Sequence, residues 1–241
     1  MLSGATLSVI LPVYNEAATI EAVVRDIHAK VAKEIPGYSF IIAEDGSTDG
    51  TQEILARLKT EIPFTLISGA RRKGYTQAFK DALALARTEW IFFSDSDGQH
   101  DPDDLSLLLA QAGSYDVVSG CKISRKDPWY RLLLSAGYNI LIKMFFGLPM
   151  KDINSGFKLI RREVVQEILP QVTTMRQCVM SEFILRAYLA GYKITEVSVS
   201  HFPREKGTTA IFHPGKLPGI VWGLLHALFT LRAEYRRKGV L

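Results

Sequence analysis

The chain of 241 residues is long enough for one large domain or two small ones. Apolar residues make up 47% of it and the net charge is only +4, which indicates a globular chain with a sizeable core. Cys121 and Cys178 are too few for a disulfide framework, and no apolar run approaches the roughly 20 residues of a spanning helix. The N-terminus lacks the pattern of a signal peptide. We therefore exclude disulfide-rich and membrane-spanning classes and expect a reducing compartment.

Strand and helix patterns alternate through the first half of the chain. Short apolar runs predict strands at Leu7–Val13, Tyr38–Ala43, Phe64–Ile67, Trp90–Ser94 and 116–120. Apolar residues at helical spacing follow each of the first four runs, and Asn15 is a candidate N-cap for the first helix. This alternation predicts an α/β fold with a doubly wound, mostly parallel sheet.

The second half has a different pattern. It contains a basic cluster around Trp129, a helical segment to Phe146 and a loop from Asp152 to Phe157. A helix over 180–190 and a strand over 192–199 come next, and an apolar segment with a basic end closes the chain. We expect residues 1–215 to form the main domain, including an appended acceptor-binding region, and residues 216–241 a C-terminal amphipathic helix.

The stretch from Trp90 to Pro102 carries the main candidate site. Asp95 and Asp97 follow a buried strand two residues apart, so both carboxylates can reach one point beyond the strand end. Gln99 continues the spacing with a neutral oxygen, and Asp101 with Pro102 opens a helix. Carboxylate and amide oxygens suit Mg²⁺ or Mn²⁺. A solvated acidic turn is the alternative.

Four stretches together resemble glycosyltransferase family 2. They are Pro12-Val-Tyr-Asn-Glu16, Glu44-Asp-Gly-Ser-Thr-Asp-Gly-Thr51, Asp95-Ser-Asp97 and Asp152-Ile-Asn-Ser-Gly-Phe-Lys158. The resemblance covers roughly residues 5 to 207 and is strongest to the polyprenyl-phosphate sugar transferases. It implies the GT-A fold and an inverting, metal-dependent hexosyltransferase. The donor would be a GDP- or UDP-linked sugar, and the acceptor dolichyl or undecaprenyl phosphate.

The resemblance also implies the donor and metal sites. Asp45 would accept a hydrogen bond from the nucleotide base, Arg72 would help to line the diphosphate, and Asp97 would be catalytic through a bound Mg²⁺ or Mn²⁺. The implied donor-binding residues are Pro12, Tyr14, Glu16, Asp45, Lys73, Gly74, Asp95 and Ser96. The implied metal ligands are Asp95, Asp97 and Gln99. A turn role for Asp45 and a solvated basic turn at 72–74 are the alternatives.

The acceptor side is expected to be basic. A lipid phosphate already carries about −1.5 to −2 charge at pH 7, so it needs cations and no general base. Arg131 and Ser135 share a helix face, and Arg131 is the second implied catalytic residue. The implied acceptor-binding residues are Lys122, Arg131, Ser135, Arg204 and Lys206. The alternative function is transfer to a hydroxyl of a glycan or other acceptor, with Glu182 as base; a structural Glu182 is equally open.

The C-terminal segment indicates the partner surface. From His201 to Leu241 there are seven basic and two acidic residues, a net charge of +5. An apolar helix with a tryptophan and a basic end can lie in a membrane interface, which predicts a peripheral enzyme at the cytoplasmic face. Packing of this helix on the main domain or on a second copy is the alternative, and a homo-oligomer stays open. We expect no nucleic-acid partner, because the basic residues flank a carboxylate site.

Overall fold

One seven-stranded sheet forms the centre of the protein. The computed structural model describes residues 6–69, 71–123, 129–175, 178–203 and 217–240, and of residues 129, 131, 217 and 218 it describes the backbone. The strands are β1 (Leu7–Val13), β2 (Ser39–Glu44), β3 (Thr65–Ser68), β4 (Trp90–Ser94), β5 (Val117–Lys122), β6 (Phe157–Arg161) and β7 (Ile194–Val199). Their order in the sheet is β3-β2-β1-β4-β6-β5-β7. Only β6 runs antiparallel to its neighbours β4 and β5, so the predicted mostly parallel sheet is confirmed.

Helices cover both faces of the sheet. They are α1 (Ile20–Glu34), α2 (Thr51–Leu58), α3 (Tyr75–Leu85), α4 (Leu105–Leu109), α5 (Trp129–Phe146), α6 (Arg162–Ile168), α7 (Val179–Leu189) and α8 (Leu217–Arg237). Ile91 and Phe93 of β4 belong to the core shared with α3 and α5–α8, whereas Trp90 and Phe92 belong to the core shared with α1, α2 and α4. Both faces of β4 are therefore buried, as its continuous apolar run predicts.

The structure adds two elements to those expected, corrects one predicted N-cap and confirms another. The strand β6 was not predicted, because Lys158 interrupts its apolar pattern, and neither was the short helix α6 that follows it. Asn15 is not the N-cap of α1: the helix begins at Ile20, and Asn15 has a positive φ of 54°. Asp101 does cap the turn that opens with Pro102, because its side chain accepts from the backbone N–H of Asp103.

The C-terminal helix α8 is packed along one side and exposed along the other. Leu228 and Leu231 are buried in the core shared with α7, while Trp222 is 74% exposed and Phe229 58% exposed. Arg232 also donates to the carbonyl oxygen of Phe145 in α5 at 2.7 Å. Within the described ranges, no helix is both long enough and apolar enough to cross a membrane.

Candidate functional site

The loops after β1 and β2 are joined by side-chain hydrogen bonds at the carboxyl edge of the sheet. The backbone N–H of Asn15 donates to Ser47 Oγ at 2.9 Å, and Asn15 Oδ1 accepts from the backbone N–H of Thr48 at 2.9 Å. The N–H of Glu16 donates to Thr51 Oγ1 at 3.0 Å. The structure thus brings together the first two stretches of the resemblance, in the crevice where open α/β sheets bind ligands.

Asp45 joins the segment after β3 to these loops. Its buried carboxylate accepts from the backbone N–H of Lys73 at 2.7 Å and of Gly74 at 2.9 Å. The Arg72 guanidinium lies 3.9 Å from the centre of the Tyr14 ring. Asp45 therefore positions the chain around it. A carboxylate can accept more hydrogen bonds than these, so the predicted contact of Asp45 with a nucleotide base stays possible.

Close backbone approach explains the glycine beside Asp45. Gly46 has a φ of 72°, and a Cβ added there would lie 2.6 Å from the backbone nitrogen of Arg72. A larger residue would push the segment that carries Arg72 and Lys73 away from Asp45. The need for Gly46 is thus steric as well as conformational.

The sequence reasoning missed a second acidic residue, Glu44. Its buried carboxylate accepts from the backbone N–H of Ser47, from Gln52 at 2.8 Å and from Ser68 at 3.0 Å. Its place at the end of β2, directly before Asp45, was the available signal. Pro12, by contrast, lies buried within β1 opposite Ala43, and the Glu16 side chain accepts from Thr19 Oγ1 at 3.2 Å.

The Asp95 carboxylate lies directly on the backbone of Gly156. A Cβ added at Gly156 would lie 1.8 Å from Asp95 Oδ2, and the N–H of Asp95 donates to the carbonyl oxygen of Gly156 at 2.9 Å. The stretch Asp152–Lys158 therefore contacts Asp95 through the backbone of Gly156. Ser96 between the acids is buried.

Two lysines lie near Asp95 and Asp97, the two acids that we call the acidic centre. Burial and the neighbouring Asp97 raise the pKa of Asp95, whereas Lys122 and Lys158 oppose that rise. Lys122 ends β5, and Lys158 is fully buried with its Nζ donating to Ser119 Oγ at 2.8 Å. Burial lowers the pKa of Lys158 to about 8. A cation next to the acids would relieve their repulsion.

These residues fit a divalent cation that is shared with a substrate. Among the described residues, no group of three or more His, Cys, Asp or Glu side chains could hold a metal ion. Mg²⁺ is usually bound through one or two carboxylates together with substrate phosphates and water. Asp95 and Asp97 match that requirement.

Gln99 and His100 tie the acidic stretch to the segment after β7. Gln99 Nε2 donates to the carbonyl oxygen of Phe202 at 3.1 Å, and the N–H of Phe202 donates back to the carbonyl oxygen of Gln99 at 2.9 Å. His100 is buried and stacks on Phe157 with ring centres 5.0 Å apart. His100 is thus a packing residue, and ligation by Gln99 stays a prediction.

The implied acceptor residues are only partly described. Lys122 lies close enough to Asp95 to favour its charged form. Ser135 is half-buried on α5, one turn before Asn139, which donates to the carbonyl oxygen of Lys151 at 2.6 Å. The Arg131 side chain, Arg204 and Lys206 lie outside the described residues.

Glu182 has a structural role in this arrangement. It is fully buried, and its carboxylate accepts from the backbone N–H groups of Thr173, Thr174 and Met175 at 2.6–3.0 Å. Arg186 Nε donates to it at 2.8 Å. Its two oxygens accept five hydrogen bonds, one of them from the guanidinium of Arg186, so no acceptor position is left for the proton of a substrate hydroxyl. The geometry therefore supports the structural role of Glu182.

Comparison with known proteins agrees with the resemblance to glycosyltransferase family 2. Residues 8–169 match the family model Glycosyl transferase family 2. The chain is 31% identical over 218 residues to Glycosyltransferase AglD of Haloferax volcanii, covering 87% of this chain and 35% of that protein. It is 30% identical over 217 residues to the Polyprenol monophosphomannose synthase of Mycolicibacterium smegmatis, covering 83% of this chain and 79% of that protein. The chain thus spans about a third of the length of the Haloferax relative.

Solved structures share the fold at lower identity. Glucosyl-3-phosphoglycerate synthase from Mycobacterium tuberculosis, in complex with Mn²⁺, UDP and glucosyl-3-phosphoglycerate, superposes with a TM-score of 0.69 at 19% identity and covers 94% of this chain and 81% of its own. Mannosyl-3-phosphoglycerate synthase from Rubrobacter xylanophilus gives a TM-score of 0.67 at 17% identity and covers 99% of this chain and 76% of its own. The GT-A fold implied by the resemblance is confirmed, and the chain belongs to glycosyl transferase family 2.

Proposed function

We propose that this protein is an inverting, metal-dependent glycosyltransferase that moves a sugar from a GDP- or UDP-linked donor to a polyprenyl phosphate. The observation that carries the proposal is the Asp95–Asp97 pair at the end of β4 with Lys122 beside it. Two similar proteins support the acceptor class by their names: the polyprenol monophosphomannose synthase and the Undecaprenyl-phosphate 4-deoxy-4-formamido-L-arabinose transferase of Pectobacterium atrosepticum, 28% identical over 228 residues.

The donor would lie along the carboxyl edge of the sheet. Tyr14 and Asp45 would hold the nucleotide, and the backbone around Lys73 and Gly74 would follow its diphosphate. Asp95 and Asp97 would hold Mg²⁺ or Mn²⁺, which neutralises the charge that develops on the leaving diphosphate.

The acceptor would enter from the side of β5 and α5. A phosphate monoester is already a charged nucleophile, so this reaction needs positioning by cations and no general base. Lys122, Arg131 with Ser135, and the basic residues Arg204 and Lys206 would supply that positioning. The occupied carboxylate of Glu182 favours this reading over a hydroxyl acceptor, for which deprotonation would be required.

A membrane surface would present the acceptor. Exposed apolar side chains lie on α5 (Leu133, 65% exposed; Met144, 68%) and on α8 (Trp222, 74%). The C-terminal end of α8 adds Arg236, Arg237 and Lys238. Apolar side chains with flanking basic residues bind anionic interfaces, which supports a peripheral enzyme at the cytoplasmic face of a membrane.

A matched pair of acceptors tests the reaction. A panel of GDP- and UDP-linked sugars is incubated with a short polyprenyl phosphate or with the corresponding polyprenol, in Mn²⁺, Mg²⁺ or EDTA. We expect transfer to the phosphate alone, lost in EDTA. Transfer to the hydroxyl of the polyprenol would overturn the proposal.

Vesicle binding tests the surface separately. Trp222→Ala should weaken binding to anionic vesicles at low salt without changing the melting temperature, because the indole is largely exposed. Leu107→Ala, which removes an exposed apolar side chain on α4, is the control. Wild-type protein that ignores anionic vesicles would remove the membrane part of the proposal.

A further inference from the structure

The Arg72 side chain lies against both of the side chains that are proposed to hold the nucleotide. Its guanidinium carbon is 3.9 Å from the centre of the Tyr14 ring, and its Nε is 4.0 Å from Asp45 Oδ2. The Asp45 side chain is only 5% exposed, whereas that of Arg72 is 54% exposed. A half-exposed cation thus covers one face of Tyr14 and one oxygen of a buried acid.

The backbone of Arg72 is fixed, although its side chain is open to solvent. A Cβ added at Gly46 would lie 2.6 Å from the backbone nitrogen of Arg72, so this backbone packs directly on the loop after β2. The next residue, Lys73, donates its backbone N–H to Asp45 Oδ1 at 2.7 Å. Exposed side chains change rotamer rapidly without backbone movement. The Arg72 side chain can therefore leave Tyr14 while the segment that carries it stays in place.

A nucleotide base that stacks on this face of Tyr14 needs the space that the guanidinium fills. Planar groups in contact are about 3.5–4.0 Å apart, and the guanidinium already lies 3.9 Å from the ring centre. The ring N–H of the base, which Asp45 is predicted to accept, would meet the same side chain at Oδ2. Binding of the base at this face therefore requires the Arg72 side chain to move away.

The diphosphate of a nucleotide offers the displaced guanidinium a new partner. The diphosphate is proposed to follow the backbone at Lys73 and Gly74, the two residues directly after Arg72. A guanidinium can donate two parallel hydrogen bonds to phosphate oxygens, and such contacts are stronger than a contact with an exposed aromatic ring. A nucleoside carries no phosphate, so it would displace Arg72 without this compensation.

We infer that Arg72 makes the site select nucleoside diphosphates over nucleosides, because its side chain covers the base position until a diphosphate binds it. The inference rests on the proposed function and adds a specificity-determining residue to it. Lys73, the next cation along the chain, instead pairs with Asp81 at 3.0 Å. Of these two neighbouring cations, Arg72 is therefore the one whose present contacts compete with the base.

Affinities for matched ligands test the inference. NMR titration measures guanosine with GDP and uridine with UDP, and the pair whose diphosphate binds the wild-type protein is used. Arg72→Ala should bind the nucleoside about two- to fivefold more tightly, because an exposed cation–π contact no longer has to be broken. The same variant should bind the diphosphate roughly tenfold more weakly, because a charge-assisted contact is lost. A general loss of structure would not change the two affinities in opposite directions.

Two further variants serve as controls. Arg87→Ala removes an exposed arginine at the opposite edge of the sheet, just before β4, and both of its affinities should match wild type. In Tyr14→Leu the base has no aromatic ring on which to stack. Adding Arg72→Ala to Tyr14→Leu should therefore lose most of the improvement in nucleoside binding, since the two residues act on the same step.

The possible contrary results separate the inference from the proposed function. Equal weakening of nucleoside and diphosphate binding in Arg72→Ala would mean that the base stacks on the guanidinium itself, which overturns the inference. Unchanged nucleoside binding in that variant would also overturn it, because Arg72 would not compete with the base. Either result would leave the proposed function intact. Wild-type protein that binds neither GDP nor UDP would instead overturn the proposed function, and the inference with it.

Discussion

The two halves of the sheet hold their polar groups in different ways. In the half formed by β1–β4, exposed or half-buried loops are tied by short local contacts, such as those of Asn15 with Ser47 and Thr48. The acids Glu44 and Asp45 of this half are buried, whereas the half formed by β5–β7 with α5–α8 also buries positive charge: Lys158 is 0% exposed and Arg186 3%. The first arrangement preserves the shape of the loops, and the second fixes a positive charge in the interior. We therefore expect substitutions in the first half to alter ligand fit, and those in the second to alter stability as well.

The largest expected effect concerns Asp97, the second acid of the pair after β4. Asp97→Ala should lower transfer by roughly 10³-fold, because several kcal/mol of leaving-group stabilisation depend on a bound cation. Turnover with Mn²⁺ and with EDTA measures this. Asp103→Ala, an exposed acid just beyond the site, should behave as wild type. Full activity of Asp97→Ala would mean that the metal is held elsewhere.

Gly156→Ala should have the next largest effect, because it disturbs the contact between the halves. Its Cβ would need to displace the Asp95 carboxylate, and we expect about 10²-fold weaker transfer with a higher Mn²⁺ requirement. The matched control is Gly113→Ala, since nothing lies within 4 Å of a Cβ there. A Mn²⁺ titration identical to wild type would show that Asp95 is not needed at its present position.

Arg131→Ala tests whether the second half holds the acceptor. Loss of a charge-assisted contact should cost about 1.5–3 kcal/mol, seen as a raised KM for a polyprenyl phosphate with unchanged nucleotide affinity. Lys143→Ala on the same helix is the control. If Arg131→Ala is neutral, Lys122 or the basic residues after β7 must hold the phosphate instead.

The smallest expected effect is a pH dependence of stability. The pKa of Lys158 is about 8 in the folded protein and about 10.5 when unfolded, so the unfolded chain binds more protons between these values. The free energy of unfolding should therefore rise with pH across this window, by about 1 kcal/mol from pH 8 to pH 9. Denaturation of wild type and Lys158→Met at both pH values measures the difference.

The variant should lack this rise, while Lys143→Met, at an exposed position, should keep it. Equal slopes for wild type and Lys158→Met would show that the Lys158 ammonium is solvated in the folded protein. The assignment of buried positive charge to the second half would then lose its main example.

The sequence predicted the first half of the fold better than the second, for a physical reason. The strands Leu7–Val13 and Trp90–Ser94 consist mostly of apolar residues and were located to the residue. The strand from Phe157 was missed, because Lys158 reads as a surface residue until its partners Ser119 and Ser155 are known. Ser119 is distant in sequence, and Ser155 lies in the loop before β6, so no local pattern reveals either partner.

The site shows the same limit. The spacing of Asp95 and Asp97 predicted two carboxylates that can reach one point, since alternate residues of an extended chain point the same way, and the resemblance to the family supplied their roles as metal ligands. The structural role of Glu182 depends on backbone N–H groups 7–9 residues earlier and on Arg186 one turn later. The sequence does not show that a helical carboxylate accepts backbone hydrogen bonds, because that depends on the position of the segment before the helix.

The contact of Asp95 with Gly156 also has a consequence for the order of folding. Asp95 leaves the ribosome before Gly156. The parallel strands of the first half can therefore form while Asp95 still lacks its contact with the backbone of Gly156. Only when β6 inserts antiparallel beside β4 does the backbone of Gly156 reach the carboxylate. The acidic centre therefore depends on a contact between residues far apart in sequence, and a nascent chain that ends before β6 would have the loops after β1 and β2 without the backbone contact of Asp95.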